Sequence, residues 1–143
     1  MMPTVWTGLS ADALPIAEVH RFLSDDRAGG VCVFVGTTRR WTDGVETVAL
    51  TYDAYSSMAE AELRRLADHA ASQWPVLRIA VLHRTGVVQP TDPSVVVGVA
   101  TPHRDAAFAA CRWLIDTLKT EVPIWKRDAR PDGSAAWVTP HAS

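Results

Sequence analysis

Residues 94–126 read SVVVGVATPHRDAAFAACRWLIDTLKTEVPIWK, which is a strand pattern followed by a helix pattern and a second extended segment. Ser94–Ala100 is rich in valine and is predicted to be a strand. Thr101 then offers an N-cap hydroxyl before Pro102 in the first turn of a helix. The apolar residues at helical spacing predict a buried stripe of Phe108, Cys111, Ile115 and Leu118. Pro123 ends the helix, and Ile124-Trp125 is predicted to be extended.

The sequence upstream of this stretch supplies two more helices and further strands. Pro15 opens the first helix, and Ser57 and Glu60 have the spacing of a capping box at the start of the second. Strands are predicted at 5–7, 31–35, 48–53, 77–82 and 136–138, and Asp43-Gly44 is a turn signal. The 31–35 strand is predicted to be buried on both faces. Three helices among about six strands predict an α+β fold, in a single domain over residues 1–143, with the helices on a mainly antiparallel sheet.

The composition excludes several classes of function. The 143 residues include 14 basic and 16 acidic side chains, for a net charge of -2, so neither nucleic acid nor an anionic membrane is an expected partner. No apolar run approaches the roughly 20 residues of a membrane span, and the N-terminus has no secretory pattern. Cys32 and Cys111 sit in apolar contexts, which favours buried, reduced thiols and a cytoplasmic location. No two histidines have i, i+4 spacing, so no metal site is predicted.

Three clusters of polar residues could carry chemistry. Gly36-Thr37-Thr38-Arg39-Arg40 follows a predicted strand and is either an anion site or a solvated turn, with the turn favoured on these residues alone. His103 and Arg104 lie at a helix N-terminus, where two cationic side chains are unfavourable unless an anion such as phosphate offsets them. An ordinary capped helix explains that cluster equally well. His83-Arg84 is interpreted as a structural turn.

The third cluster contains the only two lysines of the sequence, against twelve arginines. Lys119 and Lys126 lie seven positions apart on either side of Pro123. Lysine differs from arginine because burial can bring its pKa toward neutrality, so that it can serve as acid, base or nucleophile. Two lysines placed at random would fall this close about one time in ten, which makes the pair suggestive rather than decisive.

The ordered set of motifs resembles the large, catalytic subunit of molybdopterin synthase. The resemblance covers roughly residues 30–138 and rests on these runs: 34–39 FVGTTR, 52–55 YDAY with 58–59 MA, 83–86 HRTG, 103–104 HR with 107–108 AF, 115–119 IDTLK and 123–126 PIWK. That family usually has Glu where this chain has Asp53 and Asp128. Its Gly-Glu turn before the strand at Val95 is Thr91-Asp92 here.

The resemblance implies an alpha/beta-hammerhead-like fold and a sulfurtransferase activity. A small ubiquitin-like carrier would present a C-terminal Gly-Gly thiocarboxylate, and its sulfur would be transferred to cyclic pyranopterin monophosphate to make the dithiolene of molybdopterin. The same resemblance implies no permanently bound cofactor. It makes Lys119 and Lys126 the catalytic lysines and assigns Arg39, His103 and Arg104 to the substrate phosphate. The neighbouring pocket candidates are Thr37, Thr38, Arg127 and Asp128.

Helix length adds a prediction about assembly. His103 and Lys119 bracket one predicted helix, and sixteen residues at about 1.5 Å per residue span roughly 24 Å. One small substrate cannot contact both ends. We therefore expect a homodimer, and with two carriers a heterotetramer, in which one chain supplies Lys119 and Lys126 and the other supplies His103 and Arg104.

Two other classes of function fit part of this pattern. A non-catalytic module would bind the ubiquitin-like carrier and form no dithiolene. A Schiff-base lyase would use one lysine as nucleophile on a phosphorylated carbonyl compound and His103-Arg104 for its phosphate. The synthase explains the whole ordered motif set, whereas the lyase explains two clusters.

Overall fold

The computed structural model describes residues 2–138, and within this range it has three helices and ten strands. The helices are α1 (Ile16–Phe22), α2 (Ser56–Gln73) and α3 (Arg104–Glu121). The strands are β1 (Thr4–Ser10), β2 (Gly30–Thr37), β3 (Trp41–Thr42), β4 (Val45–Glu46), β5 (Ala49–Ala54), β6 (Arg78–Arg84), β7 (Gly86–Val88), β8 (Pro93–Thr101), β9 (Ile124–Ala129) and β10 (Ala135–Val138). The predicted α+β class, with three helices on mainly antiparallel sheet, is confirmed.

The larger helix-covered sheet has the strand order β1-β6-β8-β2. Its β1–β6 pair is parallel and the other pairs are antiparallel. Helices α2 and α3 cover one face, where Leu63, Leu66 and Leu114 are fully buried. Part of the other face is covered by Val19 of α1 and by Leu23, which directly follows that helix. Strand β8 lies between two neighbours and is almost entirely buried, as its run of valines requires.

A second four-stranded sheet has the order β10-β9-β5-β7 and is antiparallel throughout. Strand β9 follows α3 after a short break at Val122-Pro123, so this sheet begins where the long helix ends. The small β3–β4 hairpin turns at Asp43 and Gly44, which have φ values of 50° and 79°, as the Asp-Gly signal predicted.

Several local predictions are wrong, and each error has a physical reason. Strand β2 is an edge strand, so Val31 remains 52% exposed instead of being buried on both faces. Tyr55 caps α2 without a side-chain hydrogen bond, so Ser57 and Glu60 form no capping box. Helix α3 begins at Arg104, because the preceding Thr101 is still part of β8. Phe108 is 63% exposed and does not belong to the buried stripe of that helix.

Candidate active site

A cleft of about 690 Å³ lies where the two sheets meet the C-terminal end of α3. Three segments that are distant in sequence converge there. The end of β2 contributes Thr37 and, just beyond it, Arg39; the last turn of α3 contributes Lys119; and β9 contributes Lys126 and Asp128. The cleft therefore collects two lysines and an arginine from a chain whose net charge is negative.

The two lysines are brought together by the break between α3 and β9. Lys119 lies in the last turn of the helix, and the chain becomes extended from Val122 onward. Along β9 the side chains alternate between faces, so Lys126 and Asp128 share the half-buried face while Trp125 and Arg127 lie on the exposed one. The two lysines are seven residues apart, a spacing that no single helix or strand brings together. The change from helix to strand between them puts both amines into one cleft.

The electrostatics of the cleft lower the pKa of Lys126 below its ordinary value. Burial is the largest cause, and the positive charges of Lys119 and Arg39 act in the same direction, whereas Asp128 opposes them. An anionic ligand would relieve this repulsion between cations. The arrangement is therefore suited to binding negative charge and to holding an amine that gives up its proton more easily than a surface lysine.

Arg39 is placed in the cleft by the irregular segment after β2. The adjoining Thr38 is 3% exposed; its N–H donates to the Asp92 carbonyl at 3.1 Å, and its own carbonyl accepts from the Thr91 N–H at 2.8 Å. The Thr38 hydroxyl is buried and has no hydrogen-bond partner in the described part of the chain. Thr38 therefore holds the segment in place, and Thr37 and Arg39 face the cleft.

The cleft is also lined by Tyr52 on β5, the strand next to β9, and by His83 at the end of β6. Their rings meet edge to face with centroids 4.9 Å apart. Burial raises the pKa of Tyr52, and a hydrogen bond with Ser94 opposes that effect. His83 is 6% exposed, and its Nδ1 lies 2.7 Å from the carbonyl oxygen of Arg84. Burial first, and the charge of Lys126 last, lower the pKa of His83 to about 4.

His83 is a cleft residue that the sequence reasoning assigned to a structural turn. It lies instead near the end of a buried strand, and its side chain lines the cleft that also contains both lysines. The available signal was the position of a histidine at the end of an apolar run. That signal could not reveal which face of the strand the ring would occupy.

Asp128 presents a buried carboxylate oxygen to this region. Its Oδ1 has no hydrogen-bond partner among the residues that the structure describes. Buried polar atoms are normally paired, so an unpaired oxygen in a cleft wall is a place where a ligand or water would bind. Arg127, its neighbour, lies on the other face of β9 with its guanidinium 5.9 Å from the ring centroid of Trp137, outside the cleft.

His103 and Arg104 lie at the other end of α3 and do not line the cleft. Both are exposed. Their backbone packs against the start of β2, where a Cβ on Gly30 would come within 2.8 Å of the Arg104 Cα. Because α3 is continuous from Arg104 to Glu121, the roughly 24 Å separation expected from the sequence applies to the folded chain.

The described residues 2–138 offer neither a metal-binding cluster nor a membrane-spanning helix. This range contains no cluster of three or more His, Cys, Asp or Glu side chains that could hold a metal ion. It also contains no helix with the length and apolar character needed to cross a membrane.

Comparisons with known proteins identify relatives along most of the chain. The family model described as MoaE protein matches residues 9–121. A molybdopterin synthase catalytic subunit from Thermoplasma volcanium is 44% identical over 126 residues, which are 88% of this chain and 91% of the relative. One from Bos taurus is 38% identical over 128 residues, which are 90% of this chain and 68% of the relative.

Solved structures agree with the fold. The crystal structure of molybdopterin synthase from Staphylococcus aureus superposes with a TM-score of 0.87 at 33% identity, covering 92% of this chain and 96% of that one. A complex of subunits 1 and 2 of molybdopterin-converting factor from Helicobacter pylori gives 0.77 at 21% identity, with 94% and 91% covered, and supports the fold alone. Fold and cleft thus define an α+β protein in which two lysines and an arginine line one cleft. The chain belongs to the MoaE protein family.

Proposed function

We propose that this protein is the catalytic subunit of a molybdopterin synthase and acts as a sulfurtransferase. Its sulfur donor would be the C-terminal Gly-Gly thiocarboxylate of a small ubiquitin-like carrier, and its acceptor cyclic pyranopterin monophosphate, which becomes the dithiolene of molybdopterin. The observation that carries the proposal is the cleft in which Lys119, Lys126 and Arg39 converge. Family membership and the names of the curated relatives support it.

The charges of the cleft suit these two substrates. A thiocarboxylate and a phosphorylated pterin are both anions, and they repel each other unless cations lie between them. Lys119, Lys126 and Arg39 supply those cations at one place, and burial strengthens their effect because little water screens it. In this proposal the lysines offset negative charge as sulfur leaves the acyl carbon of the carrier.

The lowered pKa of Lys126 adds a second possible role for a lysine, which is to move a proton or to hold the acyl group of the carrier transiently. Replacing Lys119 or Lys126 by arginine separates these roles, because arginine keeps the charge but does not readily lose its proton. Full activity in both variants would eliminate the proton-transfer and covalent roles and leave charge stabilisation.

The site is proposed to be completed by a second copy of the chain. His103 and Arg104 are exposed at the far end of α3, where they cannot reach the substrate held by the lysines of their own chain. In a two-fold homodimer each chain would supply its lysine end to one site and its His103-Arg104 end to the other. Two bound carriers would make the assembly a heterotetramer, which we propose to be cytoplasmic.

The function is tested by reconstitution from purified components. The protein is mixed with thiocarboxylated carrier and cyclic pyranopterin monophosphate, and the dithiolene product is measured. The proposal expects product with the thiocarboxylated carrier and none with the carrier whose C-terminus is an ordinary carboxylate. If the carrier binds and no dithiolene forms, the protein is a binding module and the enzymatic proposal is wrong.

A second candidate function is favoured by the same lowered pKa of Lys126. An amine that deprotonates easily beside other cations is also suited to Schiff-base formation with a phosphorylated carbonyl substrate. Borohydride reduction in the presence of such a substrate would trap a covalent adduct on the lysine. An adduct together with no dithiolene formation would favour the lyase.

A further inference from the structure

We propose that His83 is a positioning residue for Lys126, to which it presents a ring nitrogen that carries no proton. This inference rests on the proposed function for its kinetic consequences, but the geometry and the decisive measurement do not depend on it. It concerns a residue at the end of β6 for which the sequence suggested only a structural turn.

The first step is the placement of three side chains across the two sheets. His83 is on the helix-covered sheet, and Lys126 is on β9 of the second sheet. Tyr52 on β5 is directly opposite Lys126 in the antiparallel register, and its ring contacts the ring of His83 at 4.9 Å. All three side chains line the same cleft. Tyr52 therefore lies beside Lys126 on the second sheet, and its packed partner His83 brings a ring of the helix-covered sheet to the same cleft.

The second step is the tautomer of His83. Its Nδ1 is 2.7 Å from the carbonyl oxygen of Arg84. A carbonyl oxygen only accepts hydrogen bonds, so Nδ1 must carry the proton. In the neutral ring Nε2 then has a free lone pair and is an acceptor. The ring itself is 6% exposed and pinned by Tyr52, so this acceptor has a fixed direction.

The third step is the charge of the ring at neutral pH. Burial and the neighbouring Lys126 lower the pKa of His83 to about 4, so the ring stays neutral under ordinary conditions. The cleft is lined by five other charged or titratable groups. They are Lys119 of α3, Arg39 after β2, Asp43 between β3 and β4, Tyr52 of β5 and Asp128 of β9. A neutral acceptor can take a hydrogen bond from the Lys126 ammonium, directly or through one water, and so hold the amine among competing cations.

The experiment uses the fact that this chain contains only two lysines. Protein labelled with ¹³C at the lysine ε-carbon gives two side-chain resonances, which a Lys119→Arg variant assigns. Following each resonance with pH measures the two pKa values directly, with no carrier or pterin present. The readout is therefore independent of catalysis.

Four variants decide the outcome. His83→Phe removes the acceptor and is expected to lower the pKa of Lys126 by about one further unit, the size of one hydrogen bond to a charged group. His83→Gln places an amide oxygen near the position of Nε2 and should keep the wild-type value. His83→Asn reaches only the position of Nδ1 and should behave like His83→Phe. Tyr52→Phe keeps the packed ring and is the control for a disturbed wall.

The proposal is overturned if Lys126 titrates identically in the wild type, His83→Gln and His83→Asn. The comparison of Gln with Asn remains decisive if His83→Phe does not fold, because both amides are polar and of similar size. In the reconstituted reaction His83→Asn should lower kcat by about tenfold with little change in the KM for the carrier, whereas His83→Gln restores most of it. If the wild type forms no dithiolene, the proposed function fails while the titration still decides the role of His83.

Discussion

The cationic side chains at the two ends of α3 differ in their surroundings. At the C-terminal end, Lys119 joins Lys126 and Arg39 in a cleft, with Asp128 and His83 in its walls. At the N-terminal end, His103 and Arg104 are exposed and do not line this cleft. The same helix therefore carries one enclosed cationic site and one open cationic surface.

This difference indicates what each end requires. At the C-terminal end, the lowered pKa of Lys126 reflects burial and the neighbouring cations Lys119 and Arg39, so an anionic ligand would be stabilised there. The His103-Arg104 end combines the positive end of a helix dipole with two further donors, and both side chains are exposed. In the proposed homodimer, the Lys119 end of a second chain would lie against this surface. The lysines of one chain and His103-Arg104 of the other would then form a single site.

The largest effect is expected from Lys119→Ala. Removing a cation that faces developing negative charge in a partly buried cleft should reduce dithiolene formation by about 100-fold or more. Arg112→Ala is a matched control, because Arg112 is a cation on the same helix with its side chain 85% exposed. Near-wild-type rates in Lys119→Ala would remove the lysine end from the chemistry.

A smaller and different effect is expected from His103→Ala. Its loss should weaken binding of the phosphorylated pterin, raising the KM for that substrate by about tenfold, because a charge-assisted hydrogen bond is lost without any change at the lysines. The KM for the carrier should not change. A fall in kcat alone would contradict the assignment of this end to substrate binding.

The pH dependence of the melting temperature should differ between variants at the two ends of α3. The folded-state pKa of Lys126 is lowered, so the ammonium form destabilises the fold below that pKa, and this cost disappears as the pH rises toward 10.5. Lys126→Met should therefore raise the melting temperature more at pH 7 than at pH 10.5. Arg104→Met replaces an exposed cation at the other end and should show no such pH dependence. Equal shifts at both pH values would mean that Lys126 is not electrostatically strained.

The smallest effect concerns the segment that holds Arg39 at the lysine end. Thr91 has a φ of 75°, a left-handed conformation that a β-branched residue adopts only under strain. Thr91→Asn should stabilise the protein by about 1 kcal/mol, because asparagine tolerates this conformation. Thr91→Val keeps the branched side chain and should give no gain. Equal stability of the two variants in denaturant unfolding would show that the backbone at this position is not strained.

The sequence predicted the helices and most strands, because periodicity, proline and turn residues act locally. It marked Lys119 and Lys126 as a suggestive pair, and the family resemblance implied that they share one site. The sequence could not place His83 in the cleft or Arg127 outside it. Each of these depends on which face of a strand a neighbouring element covers, and that is decided by tertiary packing. The exposure of Val31 was missed for a related reason, since an apolar run does not reveal whether its strand lies at the edge of a sheet.

The central claim is that the Lys119 end of one chain and the His103 end of a second chain form one site. It is tested most directly by mixing a Lys119→Ala chain with a His103→Ala chain under conditions that exchange subunits. Neither variant alone has an intact site. The assay is run at a pterin concentration well below the wild-type KM, where Lys119→Ala is nearly inactive and His103→Ala has about a tenth of the wild-type activity. Random pairing makes half of the dimers mixed, and each mixed dimer has one intact site of two, so activity should recover to about one quarter of the wild-type value. The contradicting result is activity no higher than the average of the two variants, with subunit exchange demonstrated. Each chain would then act alone, and His103 would have no place in the lysine site.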